Sequence, residues 1–153
     1  MKSYSPTLLT LLALAVPAAA AAPDAARLDR RAVLSLTPAE RGILLEEMHA
    51  FLAGVQKLTD ALGRQDYPAA AQAARVLGPG MGHMVPAAMR AKLPLEFRQL
   101  GASTHADFAQ IAMDAESLGD ASHSLGQLAS TLQKCVACHA AYQVRPAPAA
   151  GRR

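Results

Sequence analysis

From Thr37 onward the apolar residues of this chain recur every three or four positions, and no stretch alternates apolar and polar residues at period 2. That spacing draws an apolar stripe along one side of an α-helix. The first such run carries Leu44, Met48, Phe51, Leu52, Val55, Leu58 and Leu62. Thr37-Pro38-Ala39-Glu40 opens it, with threonine as N-cap, proline at the first helical position and glutamate placed for a capping box. Gly63 closes it. Tyr67-Pro68 begins a shorter, alanine-rich helix that runs to Leu77, where Gly78-Pro79-Gly80-Met81-Gly82 interrupts it. Pro86 and Pro94 punctuate a long connection with room for a short helical piece over 87–92. A third long helix spans Leu95 to Leu118, with Phe97, Leu100, Phe108, Ile111 and Ala115 on one side. After the Gly119-Asp120 turn, a fourth runs from Ala121 to Gln143, with Asp120 or Ser122 as its N-cap.

Four amphipathic helices joined in this order predict an all-α fold, an antiparallel up-down-up-down four-helix bundle over 38–145. Residues 23–37 read as a charged lead-in segment and 146–153 as a flexible tail. Residues 1–22 have a different character. Met1-Lys2 is followed by an apolar run from Leu8 to Val16 and then by the small residues Ala18 to Ala22. That is the order of a secretory signal peptide, cleaved between Ala20 and Pro23. The run is too short for the ~20 residues of a membrane span, so no stable span is expected, and the mature chain is expected in the periplasm.

Composition narrows the function classes. The chain has 15 basic and 12 acidic residues, and loss of the signal removes Lys2 from the basic set. A formal charge near +2 gives no argument for nucleic acid. With three Phe, three Tyr and no Trp, the core must be built from Leu, Ala, Val and Met. No paired carboxylates and no nucleophile–base arrangement stand out, so no enzymatic activity is expected.

The only two cysteines lie in Cys135-Val136-Ala137-Cys138-His139. C-x-x-C-H is the attachment signature of a c-type haem. Two thiols three positions apart can each form a thioether to one of the two porphyrin vinyl groups, and the following imidazole then serves as proximal ligand to the iron. A redox dithiol is the first alternative, but a thioredoxin-like C-x-x-C opens a helix after a strand. A zinc site is the second, but it needs further ligands, usually a second cysteine pair. Attachment outside the cytoplasm agrees with the signal peptide. One covalently bound haem c, held by Cys135 and Cys138 with His139 on the iron, is therefore expected. At about 100° per residue, with His139 at zero, Leu132 lies near +20°, Leu128 near −20° and Cys135 near −40°. This spacing predicts that His139 points along the apolar stripe into the bundle.

Candidates for the opposite axial position are Met48, His49, Met81, His83, Met84, His105 and His123. With Met48 at zero, Leu44 falls near −40° and Leu52 near +40°, so Met48 sits mid-stripe, while His49 lies on the flank near 100°. The start of the first helix lies beside the end of the last in such a bundle, which brings Met48 and His139 to similar levels. Met48 is either a thioether ligand, the reading favoured here, or an ordinary core methionine filling a gap. His105 lies about 60° off its stripe, at the core edge.

A secreted four-helix chain with C-x-x-C-H near its C-terminus resembles the cytochrome c′ family, the class II c-type cytochromes, over roughly Pro38 to Gln143. Leu93-Pro94-Leu95-Glu96-Phe97-Arg98 with Gly101 and His105 is similar to a group of short proteobacterial cytochromes of this type. The resemblance implies that Cys135 and Cys138 carry the thioethers, His139 is proximal, and the inward residue early in the first helix, Met48, is distal. It implies a low-spin electron carrier where that residue is methionine. Where an apolar residue stands there, it implies a five-coordinate protein that binds nitric oxide or carbon monoxide. It also implies redox partner proteins and a homodimer through the first helices, with which alanine-rich faces on the first two helices are compatible. One departure stands out: the family commonly has Arg or Lys four residues after the ligating histidine, where this chain has Gln143, with Arg145 two further on.

Overall fold

The computed structural model describes residues 29–81 and 85–145. The signal-peptide reading, the tail, His83 and Met84 lie outside them. Among the described residues the chain is mostly helical, so the all-α class stands. The helices are α1 (Pro38–Gly63), α2 (Tyr67–Val76), the short α3 (Ala87–Arg90), α4 (Leu95–Leu118) and α5 (Ala121–Ala141). Two strands of two residues each, β1 (Ala32–Val33) and β2 (Tyr142–Gln143), complete the elements.

Local chemistry accounts for the helix ends. Thr37 and Glu40 make a reciprocal capping box, with Thr37 Oγ1 accepting from the Glu40 amide and the Glu40 carboxylate accepting from the Thr37 amide. Such a cap contributes about 1 kcal/mol. Asp66 caps α2 and Asp120 caps α5 through their side chains. Gly119 ends α4 in the left-handed region at φ 57°, where glycine carries no Cβ penalty.

The short Arg64–Asp66 link folds α2 back on α1, and α2 also packs on α4, α4 on α5 and, more lightly, α5 on α1. Cross-links between α4 and α5 show their relative direction. His123 meets Asp114 at 3.3 Å, Thr131 reaches Asp107 at 3.3 Å and Lys134 pairs with Asp107 at 2.6 Å. Numbers climb on one helix as they fall on the other, so the two run in opposite directions.

Two clusters make the interior. The larger surrounds α2, whose Ala70, Ala71, Ala73 and Ala74 are all buried beside Leu58, Leu62, Phe108 and Ile111. Alanine is used there because α2 is wedged between α1 and α4 and larger side chains would hold the backbones apart. That alanine face is consumed within the chain and is not available to a second copy, which removes one of the two surfaces compatible with a dimer. The smaller cluster joins Leu34 to Leu44, Met89 and Leu93, with Met48, Phe97 and Tyr142 packed against it.

The ends of the unit differ from the expectation. The last helix stops at Ala141, and the lead-in is part of the fold: β1 pairs in parallel with β2, Ala32 opposite Tyr142 and Val33 opposite Gln143. Leu34 is buried. Both strands are too short to show any periodicity, and their pairing joins residues more than a hundred positions apart.

Gly54 faces Leu77 so closely that an added Cβ would lie 2.5–2.7 Å from three side-chain carbons of that buried leucine. Gly54→Ala gains up to about 1 kcal/mol of helix propensity but must displace an entire isobutyl group in a closed cluster. The expected net loss is about 1–2 kcal/mol, read from denaturant unfolding.

Candidate functional site

A cleft of about 950 Å³, measured with its open mouth, lies between α1, α4 and α5. The wall from α5 holds Leu132, Cys135, Cys138 and His139; the wall from α1 holds Met48, Phe51 and Leu52; α4 contributes Leu100, Thr104 and His105. Cys135, Cys138 and His139 share the wall because positions i, i+3 and i+4 lie on one side of a continuous helix. Met48 lies on the opposing helix and lines the same space.

The cleft is not where the helical-wheel reading put His139. The residues α5 buries are Ser124, Leu128 and Thr131, a stripe centred about 50° from His139. His139 is exposed, while Cys135 and Cys138 are half-buried. The helix has rotated so that small residues meet α4 and the pentapeptide borders the cleft. Burial needs an apolar face but does not require the face that carries most leucines.

A flat apolar group with one metal fits this arrangement. Leu52 is 72 % exposed and Leu132 38 %, both lining the cleft, so large apolar surface lies open at a concave site, the usual mark of a ligand face. The donor set is two thiols, an imidazole and a thioether, with no cationic or acidic crowding on the α5 wall beyond Lys134, which is tied to Asp107. Among the described residues no group of three or more His, Cys, Asp or Glu gathers as a metal-binding cluster, so the zinc alternative finds no further ligands there.

The thiols are also poorly suited to redox exchange. Burial pushes both above their ordinary value, and Cys138 is raised further by its neighbour Cys135. They sit near the C-terminus of α5, the negative end of the helix dipole, whereas reactive dithiols owe their low pKa to a helix N-terminus.

The other axial candidates are placed as follows. His49 is exposed on the flank of α1. Met81 is buried in the α2 cluster. His123 lies at the start of α5 against Asp114. His105 is the surprise: it lines the cleft but is buried, with Nδ1 donating to the Leu77 carbonyl at 2.7 Å and Nε2 facing Glu47 Oε1 at 3.4 Å. Its ring lies 5.0 Å from that of Phe51. Both nitrogens are therefore engaged, so His105 is no free ligand. Glu47 was passed over in the sequence because nothing local marks it; only the fold brings it to α4.

The hydrogen bond to Glu47 is the main cause that raises the His105 pKa above 6.5; burial opposes it, and the Leu77 carbonyl adds to the rise. A raised folded-state pKa means the pair's stabilisation is complete below the ordinary histidine value and fades as pH rises through the folded one. Unfolding followed from about pH 6 to pH 9 is expected to show the native chain losing stability relative to Glu47→Gln across that window. Parallel curves would disprove the pairing.

Comparison of the chain with protein-family models, with curated proteins and with solved structures finds no match in any of the three.

Proposed function

We propose that this chain is a periplasmic monohaem c-type cytochrome that carries electrons, built as an antiparallel up-down-up-down four-helix bundle of α1, α2, α4 and α5. The observation that carries the reading is the shared cleft: Cys135, Cys138 and His139 on one wall and Met48 on the other. In this reading Cys135 and Cys138 hold the haem through thioethers, His139 is the proximal ligand and Met48 the distal one. Bound there, the haem supplies a one-electron ferric–ferrous couple, which a His/Met ligand pair sets higher than bis-histidine ligation does.

The chain's own residues define the surroundings. Leu44, Phe51, Val55 and Phe108 make an apolar lining that keeps water from the ligands. Leu52 and Leu132, exposed at the mouth, leave one edge near solvent where a redox partner protein can approach. No nucleic acid is involved, and among the described residues no helix is long and apolar enough to cross a membrane. A signal peptide over residues 1–22 would deliver the chain to the compartment in which haem c is attached.

One observation favours a second reading. Met48 is half-buried and packs against the Leu34–Leu44–Met89 cluster, as a gap-filling methionine would. Turned that way, it leaves the distal side open, and the protein becomes a five-coordinate binder of nitric oxide or carbon monoxide.

Optical and EPR spectra of the protein purified from a host with a c-type maturation system separate the two. The carrier is expected to be low-spin and to become high-spin in Met48→Ala. A native spectrum that is high-spin from the start favours gas binding. Cys135→Ser with Cys138→Ser is expected to let acidified solvent strip the haem that the native chain retains. Absence of covalent haem in the native chain would overturn both readings.

A further inference from the structure

We propose that Arg31 and Gln143 are positioning residues for the axial imidazole, strapping the lead-in across the last turn of α5 so that the backbone of His139 is held fixed. The inference rests on the reading of His139 as an iron ligand. His139 lies two residues before the end of α5, in the stretch where a helix leaves its last carbonyls without intrahelical partners and frays. Here the helix's own ladder ends with the Tyr142 amide bonding the Cys138 carbonyl, and the next carbonyl, that of His139 itself, is taken up from outside the helix by Arg31 Nη1 at 3.3 Å. A guanidinium at that end also complements the helix dipole.

The arginine is held in turn. Asp29 pairs with its guanidinium at 2.7 Å. Gln143 Nε2 donates to the Arg31 carbonyl at 2.6 Å, and the Leu34 amide donates to the Gln143 carbonyl at 3.0 Å. Arg145 Nε donates to Gln143 Oε1 at 2.6 Å, so the buried Gln143 amide is used at both ends. Leu34 anchors the strap in the cluster that also packs on Met48. A ligand is held to its geometry by the groups behind it. An imidazole on an unsupported terminal turn would sample several orientations.

The test uses the full-length holoprotein with Arg31→Ala, Arg31→Lys and Gln143→Met. Arg31 is exposed, and Gln143→Met keeps the length of the buried Gln143 side chain, so these chains are expected to fold and to keep covalent haem. Exchange of the Leu34 amide should rise about fivefold in Arg31→Ala and Gln143→Met, the scale of one net hydrogen bond. The ferric low-spin EPR signal should broaden, and added imidazole should bind the iron about fivefold more tightly. Arg31→Lys, which keeps a cation at the carbonyl, should recover most of both effects. Faster exchange with unchanged EPR and imidazole affinity would make the strap structural only and overturn the positioning role. No recovery in Arg31→Lys would overturn the carbonyl-capping account. If the native chain carries no covalent haem, the functional reading fails first, in a sample with no substitution, and the positioning role falls with it.

Discussion

Close packing of four alanines on α2 against α1 and α4 is the contact on which the rest of this structure depends. At about 1.5 Å per residue, α2 is about 15 Å long, whereas α1 approaches 40 Å and α4 and α5 exceed 30 Å. The wedge therefore closes only one half of the molecule. In that half, Leu58, Leu62, Phe108 and Ile111 are buried around it. Beside that cluster the cleft opens along the middle of α1, from Leu44 to Val55, and along the last turns of α5, with Phe51, Val55 and Phe108 shared between the two. A short helix thus builds both the rigid part of the fold and the opening beside it.

The cleft end is held by different means. The lead-in, α3 and the connection after it supply Leu34, Met89 and Leu93, and Tyr142 meets Phe97 edge-on with ring centroids 5.3 Å apart. These pieces come from both ends of the described chain and from its longest connection. The site is accordingly framed by segments with weak helical signals, while the strongly periodic helices carry the candidate ligands. Of the two charged pairs beside the cleft, Lys134 with Asp107 and His105 with Glu47, the second is tied to the Leu77 carbonyl, next to the glycine break after α2.

Much of this was legible in the sequence. The bounds of α1 follow from Thr37, Pro38, Glu40 and Gly63, and those of α4 from Pro94 and Gly119, because caps and breakers act within a few residues. The pentapeptide at Cys135 was visible for the same reason, whereas Met48, read as mid-stripe beside Leu52, is only half-buried and Leu52 is exposed, because α1 buries a face centred on Leu58 instead. The orientation of α5 was not legible. Its leucines pointed to a stripe through Leu128, Leu132 and His139, yet of these only Leu128 is buried, and Ser124 and Thr131 join it while Leu132 and His139 are exposed. Which face of a helix is buried depends on the shape of its neighbour, and α4 offers Asp107 and Asp114 to Thr131 and His123.

By itself the sequence determined the helical class, the bounds of α1 and α4 and the placing of two thiols and an imidazole on one side of a helix, since each depends on spacing along one chain. Tertiary structure alone decided that Met48 lines the space bordered by Cys135, Cys138 and His139. It also decided that Glu47 meets His105 and that Arg31 reaches the His139 carbonyl across 108 positions. Such contacts are set by how helices of unequal length pack, and no local pattern records that.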